Sequence, residues 1–330
     1  MLLAGDIGGT KTELAVYASV TALTTPVANE IFPSREYKGL EEIIHAFLAK
    51  NHVAIDRACF GVAGPVVAGK ATITNLPWVI DTEQLKDEFK LKSVVLLNDL
   101  EAIASAVPFL QPSDLATLNH GQSVVNGPLA VIAPGTGLGE AYLTWGSQNY
   151  LAHTSEGGHT DFAPTDELQI GLLRYLQPRF DHVSYEWVCS GLGMPNIYAY
   201  LKESKYAEEP PWLTEQLAQS KDPNAIITQA ALDNTDTLCV TTIRTFVSIL
   251  AAEGGNLALK VLSTGGLYIG GGIPRRILPF LQEESFMKVF LHKGRLVEVL
   301  KPMPVHVILN VKAGLQGAAY RGFALERNEG

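Results

Sequence analysis

An apolar strand, a glycine-rich turn and a second apolar strand occur in that order twice in this chain, and the repeat limits its fold more than any other feature. Leu2 to Ile7 and Thr12 to Tyr17 flank Gly8, Gly9, Thr10 and Lys11. Leu129 to Ala133 and Ala141 to Thr144 flank Pro134, Gly135, Thr136, Gly137, Leu138 and Gly139. Short β-prone runs split by glycines read as tight hairpins. A repeated architecture implies two related halves, and 330 residues leave room for two domains of roughly 100 to 200 residues each. The polar stretch QPSDLATLNHGQSVVNG reads as the crossing between them, so residues 1–108 with about 312–330 are expected to form a smaller α/β domain and 109–311 a larger one.

Glycines let backbone amides approach an anion without side chains intervening. Two such hairpins facing each other can grip one polyphosphate. Asp6, just before the first turn, would set a carboxylate near those phosphates and hold Mg²⁺ directly or through water; a plain glycine hairpin with a turn aspartate is the alternative. GPVVAGK at Gly64 to Lys70 matches the spacing of a phosphate loop, but Ala71 replaces its Ser or Thr, and Thr72, Ile73 and Thr74 favour a strand where a helix should begin. It reads as a hairpin. Around Gly135 and Gly137 the dinucleotide pattern fails, because Glu140 stands where a glycine is needed.

The stretch VVLLNDLEA passes from a buried strand, Val94 to Leu97, straight to Asn98 and Asp99, and then to a helix from Leu100 to Val107. In open α/β sheets ligands gather outside the carboxyl ends of the strands. An amide beside an acid there can hold a hydroxyl and accept its proton, or the pair can simply cap the helix. Asn75 in ITNLPW is placed to face the same crevice. Glu156, Gly157, Gly158 and His159 follow the second hairpin, and Ser184, Tyr185 and Glu186 precede a helical-looking WVCSGLG. Several acids with an imidazole and an amide suit a polyol, since one carboxylate accepts from two vicinal hydroxyls. Glu186 as a helix-dipole partner and His159 as a core imidazole are the alternatives. Leu267 to Ile269 ends in Gly270, Gly271 and Gly272, followed by Ile273, where small residues let backbone lie against a ring or a phosphate.

Asp81 with Gln84 gives a capping-box-like start to TEQLKDEF. Asn224 to Leu262 reads as helix with a break near Asp233 to Asp236, Val305 to Val311 as a last strand, and Ala313 to Leu325 as a helix. Gly314, Gly317 and Ala318 permit that helix a close contact, at a hinge between domains or within a packed core. A net charge of −9 without a basic run argues against nucleic acid or an anionic membrane as partner. Early charges break any signal segment, and no apolar run approaches the ~18 residues that span a bilayer, so the cytoplasm is expected. Cys59, Cys189 and Cys239 are three and far apart, which spells neither a disulfide framework nor a zinc cluster.

Taken in order, GDIGGTKTELAV, ITNLPW, LLNDLEA, APGTGLGEA, SEGGH, YEWVCSG and GGLYIGGGIP resemble the bacterial-type glucokinases, within the superfamily of sugar kinases, Hsp70 chaperones and actin. The resemblance implies a two-domain α/β, actin-like ATPase (ribonuclease H-like) fold with a cleft between the domains, ATP and Mg²⁺ as donor, glucose as acceptor and a homodimer. It also implies that Asp99 is the general base for the sugar 6-hydroxyl, and that Asn98, Glu156, His159 and Glu186 bind other hydroxyls, with Asn75 and Gly137 as further contacts. Gly5, Asp6, Ile7, Gly8, Gly9, Thr10, Gly135 and Thr136 would hold phosphates, and Gly270, Gly271, Gly272 and Ile273 would face the adenosine. The related ROK sugar kinases carry a cysteine-rich zinc motif after a similar block. Here His159 is followed by TDFAPTDELQ, so no zinc is assigned.

An aspartate near its ordinary value of ~3.9 is ionised at neutral pH and can take the proton as the hydroxyl attacks, and domain closure would exclude water. A kinase for another hexose stays open, because epimer choice rests on fine placement of the same acids. A non-catalytic sugar regulator would need a DNA-binding segment, for which a strand starting at Leu2 leaves no place. A chaperone-like ATPase would not need the polyol acids.

Overall fold

A computed structural model describes residues 1–73 and 76–324, and the chain forms two compact units. The first comprises Met1–Pro112, Gly146–Thr154 and the chain from Asn310; the second comprises Ser113–Trp145 and Ser155–Leu309.

In the first unit β1 (Leu2–Ile7), β2 (Lys11–Tyr17), β3 (Ala28–Pro33) and β4 (Arg57–Val62) form most of one sheet. A small antiparallel sheet joins β5 (Val66–Val67), β6 (Lys70–Thr72) and β7 (Val79–Asp81). The chain then returns to the main sheet with β8 (Ser93–Asn98), giving the order β3-β2-β1-β4-β8. The hairpin pairs are antiparallel, while β1, β4 and β8 run parallel. Side chains alternate across a strand, so β1 feeds two cores. Leu3 and Ile7 join Leu14, Phe60, Leu40 and Phe47 on one face, while Leu2 and Ala4 join Cys59, Leu97, Leu315 and Ala318 on the other. That double burial explains an almost unbroken apolar strand.

Four local readings hold here. The N-terminal hairpin pairs Ile7 with Thr12. GPVVAGK turns between β5 and β6 through Ala68 and Gly69, both at positive φ (49° and 76°), as a two-residue hairpin of the primed type requires. Asp81 caps the helix Thr82–Phe89, accepting the amides of Glu83 at 2.9 Å and Gln84 at 3.4 Å. The terminal helix, Ala313–Ala324, packs inside this unit: a β-carbon on Gly317 would overlap the Ala102 carbonyl, and one on Gly322 would press on Leu2 and Cys59. Its small residues therefore serve close packing against the helix Asp99–Ala106.

The second unit holds β9 (Leu115–Asn119), β10 (Leu129–Pro134), β11 (Leu138–Trp145), β13 (Gly266–Ile269) and β14 (Val305–Ile308); β12 (Tyr150–Ser155) belongs mostly to the first unit. Strands β11 and β10 pair antiparallel, β10, β13 and β14 run parallel, and β9 closes the edge antiparallel to β14. The order β11-β10-β13-β14 thus repeats β2-β1-β4-β8. The repeat seen in the sequence is a repeat of sheet topology.

Three expectations change. The polar crossing contains β9, whose residues are all half-buried and whose Thr117 hydroxyl meets His306 Nδ1 at 3.0 Å; polar composition at a sheet edge hid a strand. WVCSGLG is not helical: a single 3₁₀ turn spans Tyr185–Trp187 and the helix begins at Gly193. The Ser190 hydroxyl takes the Leu192 and Gly193 amides at 3.1 Å each, a local bond that competes with helix continuation. The helix Thr237–Val261, capped by Asp236 on the Cys239 amide at 2.9 Å, is long enough to cross a bilayer and has a mean hydropathy of 1.2 over its most apolar window. That window is 83% buried in the protein, as in a core helix.

Candidate active site

In the first unit the site grows from the tips of parallel strands. Ile7 of β1 and Asn98 of β8 both align with Val62 of β4, so the two ligand-bearing strands end at one level. The glycine turn after β1 is closed by the Gly8 amide on the Lys11 carbonyl at 3.0 Å. Ser34, fully buried, braces it: its hydroxyl donates to the Gly8 carbonyl at 2.7 Å and meets the Thr12 hydroxyl at 3.0 Å, and its amide reaches the Thr10 carbonyl at 3.1 Å. Gly5 lies within β1, where a side chain would strike Phe60 and Leu14. Its role is packing under the turn.

Asn98 is the N-cap of the helix Asp99–Ala106, its Oδ1 accepting the Leu100 amide at 2.9 Å, while its Nδ2 donates to the Gly64 carbonyl at 3.2 Å. Asp99 Oδ1 also accepts the Leu100 amide, at 2.8 Å. Capping therefore occupies Asn98 Oδ1 and Asp99 Oδ1, with Asp99 directly after the strand tip. Asp99 stands exposed, yet enough protein surrounds its carboxyl for desolvation to raise its pKa above the ordinary aspartate value, against the pull of the backbone amides. This corrects the expectation of an unshifted base.

Asp6 sits deeper. Burial, then the charge of Asp99, push its carboxyl up to about 6; Lys11 opposes this and Glu13 adds to it. Glu13, directly across the hairpin from Asp6, is buried and accepts from Asn29 Nδ2 at 3.0 Å, with Lys312 Nζ 3.6 Å away. A β-carbon on Gly314, in the first turn of the terminal helix, would lie 3.6 Å from the Asp6 carboxyl. Uncompensated acid at this point suits a cation. Among the described residues no group of three or more His, Cys, Asp or Glu could hold a metal.

In the second unit the turn Gly135 to Gly137 is closed by the Gly135 amide on the Gly137 carbonyl at 2.8 Å. The Gly191 and Leu192 amides reach the Gly135 and Thr136 carbonyls at 2.8 and 3.2 Å. Glu186 lies over this turn. Its Oε2 accepts the Leu138 amide at 2.9 Å, its Oε1 is 3.9 Å from His159 Nε2, and a β-carbon on Gly137 would overlap the carboxylate. Glycine at 137 thus makes room for the close approach of the Glu186 carboxylate. Glu156 heads the turn Gly157–His159, with the His159 amide on its carbonyl at 3.0 Å. The structure brings Gly137, Glu186 and His159 together, with Glu156 three residues away on the same turn. His159 is exposed, not a core imidazole, and Glu186 serves the Leu138 amide and not the end of a long helix.

Strand β13 delivers the Gly270 amide to the Ile132 carbonyl at 2.8 Å, so Gly270 to Ile273 emerge beside the end of β10. Gly271 has φ 91°, and a side chain there would strike the Pro134 carbonyl; the space over Gly272 and Gly135 is open. Asn224, which sequence reading missed, donates to the Gly191 carbonyl at 2.7 Å and leaves its Oδ1 buried without a partner. Asn75 falls outside the described residues. Ser34, Glu13 and Asn224 carry no motif, and only the fold shows that they border the turns.

A glucokinase family model matches residues 3–323. The chain belongs to the glucokinase family. A glucokinase from Nostoc punctiforme is 42% identical over 333 residues, covering 97% of this chain and 98% of that protein. The crystal structure of a glucokinase from an Antarctic psychrotroph aligns with a TM-score of 0.86 at 32% identity, covering 98% of both chains. A ROK family glucokinase from Streptomyces griseus, solved in complex with glucose and AMPPNP, aligns with a TM-score of 0.63 at 21% identity over 97% of this chain and 98% of that one; at that identity the likeness speaks for the fold, which is the actin-like ATPase fold. Within the family, this chain is a sugar kinase whose two strand-turn-strand units each present a glycine turn.

Proposed function

We propose that this protein transfers the γ-phosphoryl group of ATP to the 6-hydroxyl of glucose. The observation that carries the reading is the Glu186 carboxylate, held by the Leu138 amide and facing His159, because it sets polyol-binding groups directly on a phosphate-type glycine turn. Glu156, His159, Glu186 and Asn98 bind sugar hydroxyls, with Asn75 and Gly137 as further contacts. The turns at Gly8 to Thr10 and Gly135 to Gly137 receive phosphates on their amides, and Gly270 to Ile273 receive the adenosine. Asp6 would hold Mg²⁺, directly or through water, and the ion would supply charge neutralisation to the phosphates.

Phosphoryl transfer passes through a loose transition state, so alignment and charge stabilisation do most of the work. Asp99 accepts the proton of the attacking hydroxyl. Its raised pKa makes it a stronger base than an unperturbed aspartate. The reading also includes a homodimer, which rests on the family resemblance, and work in the cytoplasm, which rests on the early charges that break any signal segment. A coupled assay of ATP consumption across glucose, mannose, glucosamine and fructose, with and without Mg²⁺, tests it. Consumption should require hexose and Mg²⁺ and favour glucose; ATP hydrolysis indifferent to sugar would refute it.

A further inference from the structure

Behind the sugar-side turns, and outside the machinery just described, lie two buried carboxyls. Glu140 on β11 is 1% exposed and Glu253, in the core helix Thr237–Val261, is fully buried. Glu253 is well partnered: its Oε1 accepts from Lys260 Nζ at 3.0 Å and its Oε2 from Asn256 Nδ2 at 2.7 Å. Asn256 also donates to the Tyr185 hydroxyl at 3.1 Å and is held by Lys293 Nζ at 2.6 Å. Glu140 has no cation of its own, and its Oε1 has no hydrogen-bond partner. Its other oxygen lies against Gly157, so closely that a β-carbon there would overlap it. Glu140 therefore touches one sugar-side turn, at Gly157 next to Glu156, and the Glu253 network reaches the other, at Tyr185 next to Glu186.

A single excess negative charge in this space is tolerable, because Lys260 and, through Asn256, Lys293 offset Glu253. A second is not, since an unpaired buried charge costs several kcal/mol. Burial, then the charge of Glu253, push Glu140 up to about 8, with Lys260 opposing. The same charges and burial raise Tyr185 and Cys189, and burial lowers Lys293.

Resting on the sugar-binding reading above, we propose that Glu140 keeps its proton and acts as a positioning residue that holds the Glu156–His159 turn in its sugar-binding shape. Loss of that proton places an unpaired buried charge beneath Gly157, and the turn gives way. Glu140 acts through Gly157 and touches no substrate.

The test follows hydrogen exchange of the His159 and Thr160 amides, bonded to the Glu156 and Gly157 carbonyls at 3.0 Å each, together with glucose binding by titration calorimetry, from pH 6.5 to 9.5. In the wild type, protection corrected for intrinsic exchange and glucose affinity should both fall by about tenfold per pH unit above a midpoint near 8. Glu140→Gln, which keeps the shape and cannot ionise, should flatten both profiles while leaving affinity at pH 7 within about threefold. A merely structural role would lower thermal stability in Glu140→Gln without altering either pH profile. Flat protection in the wild type, or the same alkaline fall in Glu140→Gln, overturns the proposal; should the variant not fold, the wild-type profile decides alone. Absence of glucose binding at every pH with the protection profiles as described would overturn the sugar reading and leave the hold of Glu140 on the turn standing.

Discussion

Burial and the neighbouring Asp99 push the Asp6 carboxyl from 3.8 up to about 6, so the folded protein holds the charged form against its own preference. A raised pKa means no cost below pH 4, where both folded and unfolded states are protonated, and the full cost above pH 6. Over that interval, at about 1.4 kcal/mol per pH unit, the charge destabilises the ligand-free fold by about 3 kcal/mol. Asp6→Asn should therefore raise the calorimetric unfolding temperature of the ligand-free protein at pH 8 by several degrees while removing Mg²⁺-dependent turnover. An unchanged or lower temperature would contradict the account. The same sign governs activity. Asp6 must be ionised to serve Mg²⁺, so kcat/KM should fall as pH drops through about 6, by about tenfold per unit; a profile flat down to pH 5 would remove Asp6 from the reaction.

At the scale of the elements, the two glycine turns are held by different braces and should fail differently. Gly137→Ala drives a β-carbon into Glu186 and forces it off the Leu138 amide. Losing a charge-assisted bond of about 1.5–3 kcal/mol should weaken glucose binding by roughly tenfold or more. Gly135→Ala meets open space and should leave nucleotide-free glucose affinity within about twofold; equal effects of the two would show that Glu186 does not bind the sugar. Ser34→Ala removes the bond to the Gly8 carbonyl and should raise the KM for ATP severalfold with the KM for glucose unchanged. Both turns were legible in the sequence, because glycine between two apolar runs has one common structural meaning. Their braces were not: Ser34 in FPSRE and Ser190 in WVCSGLG carry no motif, and only tertiary contacts bury them. Strand β9 was missed for the opposite reason, since an edge strand needs little apolar content to pair.

Across the whole molecule, the repeat of strand, turn and strand became a repeat of sheet topology in two units. Apolar runs of four to six residues were enough to reveal it. Polar residues at strand tips marked Asp6, Asn98 and Asp99 in the sequence because hydrophobic strands make any acid at their ends conspicuous. Glu140, marked in the sequence only as the residue that breaks a dinucleotide pattern, alternates in GLGEAYL like an outward-facing strand residue, and only the fold makes it interior. The central claim is that Asp99 takes the proton of the attacking hydroxyl while other residues hold the sugar. It is tested most directly by the turnover number of Asp99→Asn at saturating glucose, ATP and Mg²⁺. The account predicts a loss of about 10²-fold or more at a glucose KM close to that of the parent; near-normal turnover would contradict it.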